Sequence, residues 1–283
     1  MLRVFIICLL LTGFQLKAKH QKLSLQKAIN MKLVKAKATS LGGYQGFCMR
    51  MGIKNLSQDS LVILIEAGRR LNSVDENNQD ILIVKEELIV LRHGEEKQVN
   101  VKGYCCQSTN RAPSKNAVYD VNKLADSGLV RVARYLNTHS FDKNTEQNAI
   151  WAVSDKHATA GITASNDSLV MPLRRMVAGI KGEKLPWYTI VSTTYVYSNG
   201  AISVFPLQLK GKMEYDNEKD SYVTLSVVNE KGMPVCLVKK QWLKAATNSN
   251  YDLNLPIKGL AKGKYTIELK STEKQLAIKE FEI

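Results

Sequence analysis

From Leu207 to Ile283 apolar and polar residues alternate in short runs separated by Gly- and Asn-bearing turns, with no helical spacing. A period of two puts one apolar face on every strand, and that face needs a second sheet to cover it. Six strands are read: 210–215, 222–229, 235–240, 251–255, 265–270 and 276–283. The turns are Glu230-Lys231-Gly232 and the segment Leu260 to Lys264. This predicts a small antiparallel sandwich over 207–283.

Upstream, 23–101 is also β in pattern. Ser60 to Glu66, Asp80 to Val84, Glu87 to Leu91 and Gln98 to Val101 are branched-residue runs bounded by turn residues, as in a β-sandwich or barrel. Leu23 to Thr39 fits either a strand pair or a short helix. The pattern changes after Tyr119. Asp120 to Thr138 spaces Val121, Leu124, Leu129, Val132 and Leu136 mostly three or four apart, which predicts an amphipathic helix broken near Ser127-Gly128. Asn144-Thr145 is read as the N-cap of a second helix, and Asp167 to Ile180 as a third. Tyr188 to Phe205 reads as a hairpin around Ser198-Asn199-Gly200, with Pro206 as the boundary. The fold expected is mainly β with an α insertion (α+β). It has a β-rich unit at 19–206, carrying helices over about 120–182, and the sandwich at 207–283.

Residues 1–18 read as an export signal, with Arg3 preceding the apolar run Val4 to Phe14. That run is too short to span a bilayer, and no later stretch is long enough. A secreted, periplasmic or cell-surface protein with no integral membrane segment is expected. The chain carries +14, and +12 without Arg3 and Lys17. Its Lys and Arg are scattered and not interleaved with aromatics, so nucleic acid is not the expected partner. An extracellular or cell-surface protein or polysaccharide is. Phosphate-cradling and zinc-protease motifs are absent, the four histidines are dispersed, and no metal or cofactor is expected. Asp75 to Asp80 reads as a solvated acidic turn.

Cys48, Cys105, Cys106 and Cys236 follow the signal. Export permits disulfides, and four cysteines allow three full pairings. Cys48 with a vicinal cysteine is the expected pair, with Cys48 and Cys106 the disulfide candidates.

The tail segment Val223 to Gly232, followed by Gly263 to Ile267 and a terminal apolar strand, resembles the Ig-like domains appended to many bacterial extracellular proteins. Among these are FlgD-type domains and the sorting domains of Bacteroidetes secreted proteins. The resemblance implies an Ig-like sandwich on a secreted protein. In the first unit, Tyr104-Cys105 with Pro113, then Gln147-Asn148-Ala149-Ile150-Trp151, resembles the thioester domains of bacterial surface adhesins. It implies Cys105 as thiol, Gln147 as acyl partner and Trp151 as an apolar wall against water. Thiol attack on the carboxamide expels ammonia and leaves an electrophile that can acylate an amine or hydroxyl. The other reading of the same residues is packing, with the cysteines as staples.

Three function classes follow: a non-enzymatic extracellular binding or structural module, a thioester-bearing adhesin-like domain linking covalently through Cys105 and Gln147, and an extracellular hydrolase. The hydrolase would draw on His139 or His157 with Asp142 or Asp155, and Ser154-Asp155-Lys156-His157 holds triad-like types.

Overall fold

A computed structural model describes residues 22–283; the signal read at 1–18 lies outside the described residues. The first unit opens with β1 (Lys22–Ser24), α1 (Leu25–Asn30) and β2 (Val34–Ser40), so Leu23 to Thr39 is both strand and helix. Strands β3 (Gln45–Asn55), β4 (Leu61–Ile65), β5 (Arg69–Ser73), β6 (Ile81–Ile83), β7 (Glu87–Leu91), β8 (Glu96–Cys105) and β9 (Val118–Leu124) follow. Six of them close a barrel in the order β2-β3-β8-β6-β5-β9, while β1-β4-β7 form a separate sheet. Met49, Met51, Ile53, Leu71, Ile81, Val101, Cys105 and Tyr119 belong to one buried cluster with Ile63 and Ile65. Gly103 is needed where β6 and β8 pair. A Cβ there would lie 2.4 Å from Ile81 Cγ2, so any side chain would push the two strands apart two residues before Cys105.

Helix α2 (Ser127–Thr138) is capped by Asp126, whose side chain accepts from Leu129 N–H. The expected helix over 120–126 is not formed: Asp120 to Leu124 belong to β9, which pairs with β2 and β5 and closes the barrel. Ladder pairing overrides the three-and-four spacing there. Helix α3 (Lys143–Ser154) starts one residue before the expected cap. Asp142 caps it, accepting from Asn144 and Thr145 N–H, so Asn144 is already helical. Helix α4 (Asp167–Lys181) ends at Gly182 with φ 68°, the left-handed stop that glycine tolerates. The three helices pack on one outer side of the barrel. Leu129, Val132, Leu136, Ile150, Val170, Leu173 and Val177 join Leu82, Tyr104 and Cys106 in a second cluster.

The remaining strands are β10 (Tyr188–Val196), β11 (Ile202–Asn217), β12 (Ser221–Asn229), β13 (Pro234–Leu243), β14 (Ala246–Pro256), β15 (Lys264–Ser271) and β16 (Gln275–Glu282). They form the sheets β10-β11-β14 and β13-β12-β15-β16. Ile190, Leu209, Met213 and Leu253 of one sheet share a core with Val223, Leu225, Ile267, Leu269 and Phe281 of the other. All six strands read from the sequence are present. Pro206, expected as a boundary, lies within β11 opposite Ser192, where the register slips. A bulge is where a strand tolerates a residue without N–H. The hairpin Tyr188 to Phe205 therefore shares its sheet with the tail. Among the described residues no helix is long and apolar enough to cross a membrane.

Candidate functional site

Cys105 ends β8, and Gln147 lies on the second turn of α3. The fold presses these two elements together. Gln147 is 1% exposed, Cys105 and Trp151 are 0% exposed. The Gln147 carboxamide pairs with the main chain of Cys105 at both ends. Its Oε1 accepts from Cys105 N–H at 3.2 Å and its Nε2 donates to Cys105 C=O at 2.8 Å. Cys105 N–H is shared with Tyr44 C=O at 3.0 Å. The ladder of β3 and β8 finishes at Gln45 with Tyr104, so the amide extends it beyond the first residue of β3.

Two further contacts fix Gln147. Glu146 beside it is fully buried and ion-paired with Lys102 at 2.6 Å, while its other oxygen accepts from Phe141 N–H at 3.0 Å. That second bond reaches back over the helix start and anchors the N-terminal turn of α3. Trp151, one turn beyond Gln147, stacks on Tyr44 with ring centroids 6.0 Å apart and 3° between planes. The sequence motif is thus drawn into one closed locus: Cys105, Gln147, Trp151 and, unforeseen, Tyr44, Lys102 and Glu146.

The four cysteines among the described residues are free thiols. The expected Cys48–Cys106 disulfide is not formed, and the register explains why. Gly46 pairs with Gly103 and Met49 with Val101, leaving Cys48 level with Lys102. Cys106 is four residues on, about 13 Å along an extended strand, whereas a disulfide needs Cα atoms within about 7 Å. Faces differ too: Cys48 and Cys105 lie in the barrel core, Cys106 in the helical layer. Alternation along the strand likewise turns the vicinal pair to opposite sides. Burial pushes the Cys48 and Cys106 thiols up to about 12 and Cys105 well above its ordinary value, with Cys48 and Cys106 near Cys105 adding to the last. Cys48 Sγ donates to Gly103 C=O at 3.4 Å. Cys236, on β13, is partly exposed.

The histidines separate. His139 ends α2, exposed, its ring 4.0 Å from that of Tyr135. His157 sits in a polar cluster that includes a serine the sequence did not single out. Ser108 Oγ lies 2.7 Å from His157 Nε2, and Asp155 Oδ2 accepts from Ser108 N–H at 2.7 Å and from its hydroxyl. Asp155 Oδ2 is 3.5 Å from the same Nε2. A triad needs the carboxylate on Nδ1, orienting the ring away from the serine. Here carboxylate and serine share one ring nitrogen, so the cluster ties the loop after Cys106 to the end of α3. Ser154 instead bonds Ile150 C=O at 3.0 Å. Lys156, with φ 57°, turns His157 back so that its N–H reaches Trp151 C=O at 3.2 Å. Burial lowers the His157 pKa against the opposing pull of Asp155.

The acidic turn is also more than a solvated loop. Gln79 is buried, and Asp80 pairs with Arg70 at 2.8 Å while accepting from Ser73 N–H at 2.9 Å. Gln107 bridges back to Asp80 N–H at 2.7 Å, and Asp80 C=O accepts from Cys106 N–H at 2.9 Å. These bonds hold the end of β8 and so the position of Cys105.

No protein-family model matches the chain, and no curated protein is similar to it.

Proposed function

We propose that the chain is a non-enzymatic extracellular binding module that can hold its partner covalently, through an internal thioester between Cys105 and Gln147. The observation that supports this is the two-ended pairing of the Gln147 carboxamide with the main chain of Cys105 in a site closed to water. Two hydrogen bonds to one residue's own N–H and C=O hold the carboxamide against the main chain of the residue that bears the thiol. Such confinement replaces a bimolecular encounter. The step is an acyl exchange: Cys105 sulfur adds to Gln147 Cδ, the C–N bond breaks, and the thiol proton leaves with nitrogen as ammonia. A partner amine later adds to the same carbon, displaces sulfur and gives an amide plus the Cys105 thiol. Cys105 N–H donates to the oxygen on which negative charge develops in both additions. The burial that raises the thiol's pKa also protects the product, because a thioester carries no charge to desolvate and excluded water cannot hydrolyse it. An extracellular protein, or a polysaccharide offering an amine or hydroxyl, is the partner this chemistry takes.

A second reading is favoured by the free Cys105 thiol in the barrel core and the fully satisfied amide. In it the pair is a mechanical lock between barrel and helices, and binding is non-covalent. Intact mass of the chain separates the two. A thioester lowers the mass by one ammonia, about 17 Da, which Cys105→Ala and Gln147→Ala both abolish. A wild-type chain of full mass that takes up no methylamine leaves only the lock.

A further inference from the structure

Trp151 presents an unexplained group. Its ring is fully buried, yet Nε1–H has no hydrogen-bond partner among the described residues. A buried donor left unpaired is destabilising, and such groups call for a reason. Its place in the fold supplies one. Trp151 lies four residues after Gln147 on α3, so both project from one face, and helical side chains lean towards the N-terminus. The indole therefore covers the turn that carries Gln147. Its other neighbours belong to the same locus. Tyr44 stacks on it while its carbonyl accepts from Cys105 N–H, and the His157 ring is 5.4 Å away on a loop tied to α3.

We infer that Trp151 Nε1–H is the second oxyanion donor of the Cys105–Gln147 thioester, acting with Cys105 N–H on Gln147 Oε1. This rests on the thioester reading and goes beyond its apolar wall. When an amine adds to Gln147 Cδ, the carbonyl electron pair moves onto Oε1. Cys105 N–H already meets that oxygen at 3.2 Å but is shared with Tyr44 C=O, so one donor alone is half-committed. The indole N–H, unbonded in the resting chain, completes the pair as charge develops. The oxyanion then collapses, the C–S bond breaks, and the proton lost by the amine goes to the Cys105 sulfur. Thioester formation passes through an oxyanion on the same atom, with ammonia leaving instead.

The test replaces Trp151 with phenylalanine and, in a second chain, with β-(3-benzothienyl)alanine, which keeps the indole's shape without N–H. Thermal midpoint, ammonia loss by intact mass and rate of methylamine capture are measured on each. The expected result is a midpoint for the benzothienyl chain at or above that of the wild type, since the unpaired donor is gone, with capture slowed about 100-fold, the usual effect of removing one oxyanion donor. Ammonia loss that disappears in that folded chain supports the donor equally, because formation needs it too. Full ammonia loss with capture at the wild-type rate overturns the donor and leaves the thioester standing. A wild-type chain with neither ammonia loss nor methylamine adduct overturns both.

Discussion

Substituting methionine for Gln147 in a Cys105→Ala background isolates what the side-chain amide does for the fold, because no thioester can form there. The amide makes two bonds, at 3.2 and 2.8 Å, to the main chain at position 105. On its loss the N–H keeps Tyr44 C=O at 3.0 Å, whereas the carbonyl loses Gln147 Nε2 inside a site no more than 1% exposed. An orphaned buried acceptor costs about 1–3 kcal/mol. Methionine nearly conserves the volume, which limits any cavity contribution. The expected loss is therefore about 2 kcal/mol against Cys105→Ala alone, or about 4–8 °C in midpoint for a unit of this size. Urea unfolding followed by tryptophan fluorescence reads it directly. A difference below about 0.5 kcal/mol, the range of ordinary surface changes, would mean that the amide does not bridge barrel and helix.

Glu146→Ala leaves Lys102 without its buried partner and should destabilise by about 3–5 kcal/mol, measured by the same unfolding curve. Lys156→Gly relieves a left-handed residue at the end of α3 (φ 57°) and should stabilise by about 0.5–1 kcal/mol in a thermal melt. His157 has its folded pKa lowered by burial below the ordinary 6.5, so the unfolded chain binds its proton more readily. The stabilisation from the neutral ring is complete above 6.5 and is lost as pH falls from there towards the folded value. Unfolding free energy should decline across that window, and His157→Gln should flatten the decline. In the native chain iodoacetamide should modify Cys236, leaving Cys48 and Cys106 protected until denaturant is added, as counted by intact mass.

Alternation made the tail legible, since each strand there has one buried and one open face. The barrel was less so. Strand β3 reads Gln45-Gly46-Phe47-Cys48-Met49 and is buried at Met49 and again at Met51 to Ile53, so a bulge breaks the period by which strands are recognised. Asp120 to Leu124 carries helix-like spacing, and only the partners across the barrel, β2 and β5, make it a strand. At the site, Cys105, Gln147 and Trp151 were readable because residue types and order carried them. Ser108, Tyr44 and Lys102 were not, because each reaches the locus by long-range closure and none has a distinctive local pattern. The expected disulfide failed on register, and register is set by the bulge between Gly46 and Met49.

The most direct test of the covalent reading locates the acyl transfer by residue. Chain incubated with methylamine is digested and sequenced by tandem mass spectrometry, with free thiols counted in parallel. The account predicts methylamine on Gln147 and one new thiol at Cys105 for each amine taken up. Amine on any other residue, or uptake at Gln147 that releases no thiol, would contradict it.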